Sequence, residues 1–107
     1  MKTNYKFGEV IDLCPAVKAE DDKVSFKNIF ETDNGGVSLV AFKKGQFLDT
    51  HIAPFEVMAT VCEGEVEFTM LDVPHRIKAG QFLLMGANVK HSVKALEDSK
   101  LMLVKIK

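Results

Sequence analysis

Gly45-Gln46-Phe47-Leu48-Asp49-Thr50-His51-Ile52-Ala53-Pro54-Phe55-Glu56-Val57, closed by Glu63-Gly64, forms the first part of a two-part motif. Gly80-Gln81-Phe82-Leu83-Leu84-Met85-Gly86-Ala87-Asn88-Val89-Lys90-His91 forms the second. Each part sets a glycine-marked turn before a short apolar run, and each carries one histidine. Outward from it, turn signals recur at short intervals: Asn34-Gly35-Gly36, Leu71-Asp72-Val73-Pro74 and Leu96-Glu97-Asp98-Ser99. Between the turns lie runs rich in Val, Phe, Ile and Leu: Val24 to Phe30, Val37 to Phe42, Val57 to Cys62, Glu65 to Met70, Phe82 to Met85 and Leu101 to Ile106. Many short strands at this spacing predict an all-β sandwich or barrel and not βαβ units. Only Asp12 to Asp22 can hold a helical turn, and Pro15 keeps it short.

The patterning inside the runs adds a layer. Glu65-Val66-Glu67-Phe68-Thr69-Met70 alternates, so one face is buried and the other wet. Val57 to Cys62, Ser38 to Phe42, Phe82 to Met85 and Leu101 to Val104 do not alternate. A strand apolar on both sides needs cover on both sides. One side is the barrel interior. The other is covered either by a second subunit, giving a homodimer, or by the N-terminal segment Tyr5 to Leu13.

At 107 residues with 47% hydrophobic content the chain suits a single domain, residues 1–107, with 1–35 supplying N-terminal strands and cover and 36–107 the barrel. A net charge of −1 and scattered lysines, with Arg76 the only arginine, give no footprint for nucleic acid. No apolar run approaches the roughly 20 residues that span a bilayer, and Met1 to Gly8 has no signal-peptide character. Cys14 and Cys62 lack metal or redox spacing and read as free thiols. A cytoplasmic location is the expectation.

The two motifs resemble those of the cupin superfamily, small double-stranded β-helix (jelly-roll) barrels that often hold a metal on three histidines and a glutamate. The resemblance spans roughly residues 36 to 107 and is closest to small single-domain bacterial cupins, through His51-Ile52-Ala53-Pro54-Phe55-Glu56 and Gly86-Ala87-Asn88-Val89-Lys90-His91. It implies a pocket between motifs. Of the family's four ligand places, His51 and His91 keep a histidine, while Ala53 and Val57 stand at the other two. Gly86, Asn88 and Lys90 replace a proline, a glycine and another proline of the second motif.

Two imidazoles alone make a weak site for a divalent ion such as Zn, Fe, Ni or Mn, since a metal catalyst usually takes three protein ligands. Glu56 supplies a third donor if Pro54 shifts the parity of its strand; otherwise it is a solvated turn carboxylate. The expected pocket combines His51, His91 and Glu56 with Phe47, Val57 and Phe82, and its apolar wall continues through Ala53, Ala59 and Val61. His75 and the glutamates 63, 65 and 67 read as surface, and Cys62 as a small core hydrophobe. Three functions fit this set. The first is a small-molecule binding module of unassigned ligand. The second is a metal-dependent cupin enzyme, of dioxygenase or isomerase/lyase type, using His51, Glu56 and His91. The third is a metal-independent enzyme with one histidine as general base and Glu56 as its partner.

Overall fold

A computed structural model describes all 107 residues. In chain order it has β1 (Lys2–Thr3), a short 3-10 helix (Cys14–Ala16), β2 (Ser25–Thr32), β3 (Gly35–Phe42), β4 (Phe47–His51) and β5 (Glu56–Glu63). There follow β6 (Glu65–Met70), β7 (Val73–Lys78), β8 (Phe82–Met85), β9 (His91–Ala95) and β10 (Ser99–Ile106). The strands form two antiparallel sheets, one ordered β1-β2-β3-β10-β5-β8 and one ordered β4-β9-β6-β7. This is an all-β, jelly-roll arrangement, as the turn spacing predicts. No helix is long and apolar enough to cross a membrane.

Alternation decides which side chains meet between the sheets. Along β5, Val57, Ala59 and Val61 are buried, and Val66 and Phe68 of β6 and Val93 and Ala95 of β9 come from the opposite sheet. These join Val40, Phe42, Ile77, Met85 and Leu101 in one inter-sheet core. Phe42, Phe68 and Leu101 are essentially fully buried; each such side chain contributes about 1.5–3 kcal/mol on leaving water.

The outer face of the six-stranded sheet is divided. Val17, just past the 3-10 helix, packs with Leu39 and Ala41 as a second small core, flanked by Ala16, Ala19, Ile29 and Met102. Lys100, pointing outward from β10, anchors this segment by donating to the Cys14 carbonyl (Nζ–O 2.7 Å) and lies 3.8 Å from a Glu63 carboxylate oxygen. The chain between Ala16 and Ala19 therefore supplies the tight cover; the stretch from Tyr5 to Leu13 only rims a groove, with Ile11 and Leu13 still exposed. The β10-β5-β8 half of the face has no such cover. Phe82, Leu84 and Ile106 stand exposed there beside half-buried Met58 and Val104.

Both cysteines are free thiols. Burial pushes the Cys62 thiol above its ordinary pKa, helped by electrostatic interaction with Cys14 and Glu63.

Candidate functional site

The site begins with a register irregularity. Leu48 of β4 stands opposite Val93 of β9, and both face the core. His51 is three residues beyond Leu48, so in a regular strand it would point outward. Between Leu48 and His51 the pairing shifts, and His51 is brought opposite His91, which lies on the inward side with Val93. An extra residue in one strand re-aims every side chain beyond it. The bulge is what turns His51 inward to meet His91.

The two rings meet edge to face, with centroids 4.1 Å apart and planes inclined at 63°. His51 Nδ1 donates to the Asp49 carbonyl at 2.9 Å, and His91 Nδ1 donates to the Val89 carbonyl at 3.0 Å. A carbonyl can only accept, so each Nδ1 carries a proton, and a ring in its neutral form keeps Nε2 as an acceptor. His91 is buried. Burial lowers its pKa below 6.5; the Val89 carbonyl opposes that shift, and the neighbouring His51 adds to it. Neutral His91 is therefore the form the fold favours.

The loops that carry the rings are tied together. The Asn88 N–H donates to the Ala53 carbonyl at 2.8 Å, joining the second motif to the first beside the histidines. Asn88 adopts φ 63°, a left-handed conformation that asparagine tolerates better than most side chains. It thus meets the backbone demand that a glycine meets in the full motif.

Around the pair is a cavity of about 390 Å³, within the size range of small-ligand sites. Phe26, Leu48, Phe68, Met85, Val93 and Leu103 give it apolar walls, and Asp49, His51, His91 and Lys105 add polar groups. Of the residues expected from sequence, the structure brings together His51, His91 and Val57, with Ala53 at the rim. Ala59 and Val61 belong to the packed core instead.

Three expectations need correction. Glu56 is exposed and pairs with Ile106, on the opposite side of β5 from the cavity-lining Val57. Pro54 does not shift that parity; the shift falls earlier, before His51. Phe47 is exposed across from Lys94 on the outer side of the four-stranded sheet. Phe82 is exposed across from Thr60 on the outer side of the six-stranded sheet. None of the three lines the cavity.

With Glu56 facing away, no group of three His, Cys, Asp or Glu side chains is placed to hold a metal ion. The donor set is two imidazoles, with Ala53 and Val57 where further ligands would stand. That set does not fit a catalytic transition-metal centre, which needs a third protein donor.

Sequence reading overlooked Asp49 and Lys105. Lys105 was within reach, because it shares the parity of Leu101 and Leu103, the inward residues of β10. Asp49 was not, since its position depends on the bulge.

Two facing antiparallel sheets, with a cavity between them lined by a histidine from each motif, define a jelly-roll fold. The chain matches the family model described as a cupin domain over residues 38–107, and it belongs to that family. Among solved structures it is similar to the conserved SPY1581 protein of unknown function from Streptococcus pyogenes, with 28% identity, covering 100% of this chain and 96% of that one, at a TM-score of 0.90. It is similar in fold to the cupin superfamily protein DSY2733 from Desulfitobacterium hafniense, with 16% identity, 97% and 95% coverage and a TM-score of 0.89. A cupin 2 conserved barrel domain protein from Leptotrichia buccalis is 30% identical over 91% of this chain, at a TM-score of 0.87; the chain spans 47% of that protein. No curated protein matches the chain.

Proposed function

We propose that this cupin is a small-molecule binding module whose ligand enters the inter-sheet cavity and donates a hydrogen bond to the histidine pair. The observation that carries this reading is the double commitment of Nδ1. With both Nδ1–H groups held by backbone carbonyls, each ring in its neutral form offers an Nε2 acceptor and no donor. A hydroxyl or N–H on an otherwise apolar ligand matches that demand, and the aromatic and aliphatic walls match the ligand's body. The metal-dependent enzyme is the weaker reading, because its third ligand is missing from the donor set. The general-base enzyme loses Glu56 as the partner of either histidine.

A thermal-shift screen of metabolites tests the binding reading. A true ligand raises the midpoint of the wild type, and the rise grows with concentration as mass action requires. The same ligand leaves the His51→Ala, His91→Ala double variant unmoved. An equal shift in both proteins places the ligand elsewhere and sinks the proposal.

We further propose that a second copy of this chain covers the bare half of the six-stranded sheet. Its centre, Met58, Thr60, Phe82, Leu84 and Val104, carries no charge, and Glu56 stands only at its end. An isologous contact sets a surface against itself, so like charges would oppose one another; a neutral apolar face is self-complementary.

A further inference from the structure

One cation faces the cavity without a counter-charge. Lys105 lies on β10 between Val57 of β5 and Gly36 of β3, on the inward side. Its Nζ sits 5.5 Å from the centroid of the Phe55 ring. It makes no hydrogen bond through Nζ, and no carboxylate oxygen comes within 4.0 Å of it. The contrast on the same strand is Lys100, which points outward and satisfies its ammonium with the Cys14 carbonyl and Glu63. Asp49 on the cavity wall and Glu31 in the adjoining groove are the nearby acids, and neither pairs with Lys105.

Lys105 is half-buried, and the face of one aromatic ring gives its ammonium only part of what a counter-ion would. Gly36 sets no side chain beside Lys105, and the cavity and the adjoining groove of about 280 Å³ meet there, sharing Phe26, Phe55 and Lys105. The cation therefore stands at a junction open to an incoming anion, in the same cavity as the two Nε2 acceptors.

We propose that Lys105 is the anion-recognising residue of this cavity and that the ligand is a small organic acid. Its carboxylate meets Nζ, its apolar body fills the space between the sheets, and a hydroxyl or N–H reaches the His51–His91 pair. This rests on the binding function proposed above and adds the charge of the ligand to it. A charge-assisted hydrogen bond strengthens binding roughly 5- to 15-fold over its neutral counterpart.

The test uses 4-hydroxyphenylacetate and its neutral analogue 4-hydroxyphenylacetamide, titrated into the full chain and followed by amide NMR shifts of residues lining the cavity. The acid is expected to bind wild type at least about fivefold more tightly than the amide. Lys105→Met keeps the apolar stem and erases that preference, while Lys105→Arg retains most of it. If acid and amide bind wild type equally and His51→Ala, His91→Ala weakens both, the cavity function stands and the charge assignment falls. If Lys105→Met keeps the preference for the acid, the assignment to Lys105 likewise falls. If neither compound moves the cavity resonances at millimolar concentration, the organic-acid assignment falls, and the binding reading is decided by the metabolite screen alone.

Discussion

His51 and His91 stand opposite each other across the β4–β9 pair, with ring centroids 4.1 Å apart, because the pairing slips between Leu48 and His51. Burial lowers the pKa of His91, and the neighbouring His51 adds to that lowering.

That lowering has a consequence for stability. The unfolded chain takes up the His91 proton near pH 6.5, and the folded chain takes it up only at lower pH. Between those points the unfolded state binds more protons, so stability falls as pH drops below about 6.5 and this component levels off beneath the folded pKa. Denaturation midpoints measured from pH 8 to pH 5 are expected to show the decline. His91→Gln is expected to remove this component; an unchanged slope would argue that His91 is not its source.

Two glycines with nearly the same backbone separate strain from packing. Gly64 (φ 84°) and Gly80 (φ 87°) are both left-handed. A Cβ on Gly64 would run into the Asp98 carbonyl and the Ser99 side chain, whereas one on Gly80 meets nothing within 4 Å. Gly64→Ala is expected to cost about 2–4 kcal/mol and Gly80→Ala about 1 kcal/mol in urea denaturation. Similar costs would show that the turn after β5 relaxes freely.

The bare outer face carries an assembly prediction. Light scattering behind size exclusion is expected to give twice the 11.9 kDa chain mass. Leu84→Glu, placing a charge on the exposed apolar face, is expected to yield a folded monomer. A monomeric wild type would refute the pairing.

The donor set limits metal affinity. Protein purified without a histidine tag is expected to hold less than about a tenth of an equivalent of any transition metal, since two imidazoles bind weakly. A stoichiometric metal lost on His51→Ala would restore the enzyme reading.

What the sequence revealed, and what it hid, follows from periodicity. Runs apolar on both sides, such as those in β3, β5 and β10, were legible because apolar residues on both faces leave an unbroken signal. β4 and β9 were not read as strands: the polar side chains of Asp49, Thr50 and Lys94 break the apolar run. The histidines were legible through their motif places. Glu56 was misplaced because a one-residue shift of parity leaves no mark in composition, and Pro54 was the wrong place to look for it. Lys105 was legible by alternation with Leu101 and Leu103, yet an isolated lysine near a strand end reads as solvated.

The central claim is that the histidine pair offers two Nε2 acceptors to a ligand in the cavity. Long-range proton–nitrogen NMR of the imidazoles at pH 8 tests it most directly. The expected spectrum shows both rings protonated on Nδ1, with both Nε2 resonances moving when 4-hydroxyphenylacetate is added. A proton on Nε2 of either ring, or Nε2 signals that stay fixed while the ligand binds, would contradict it.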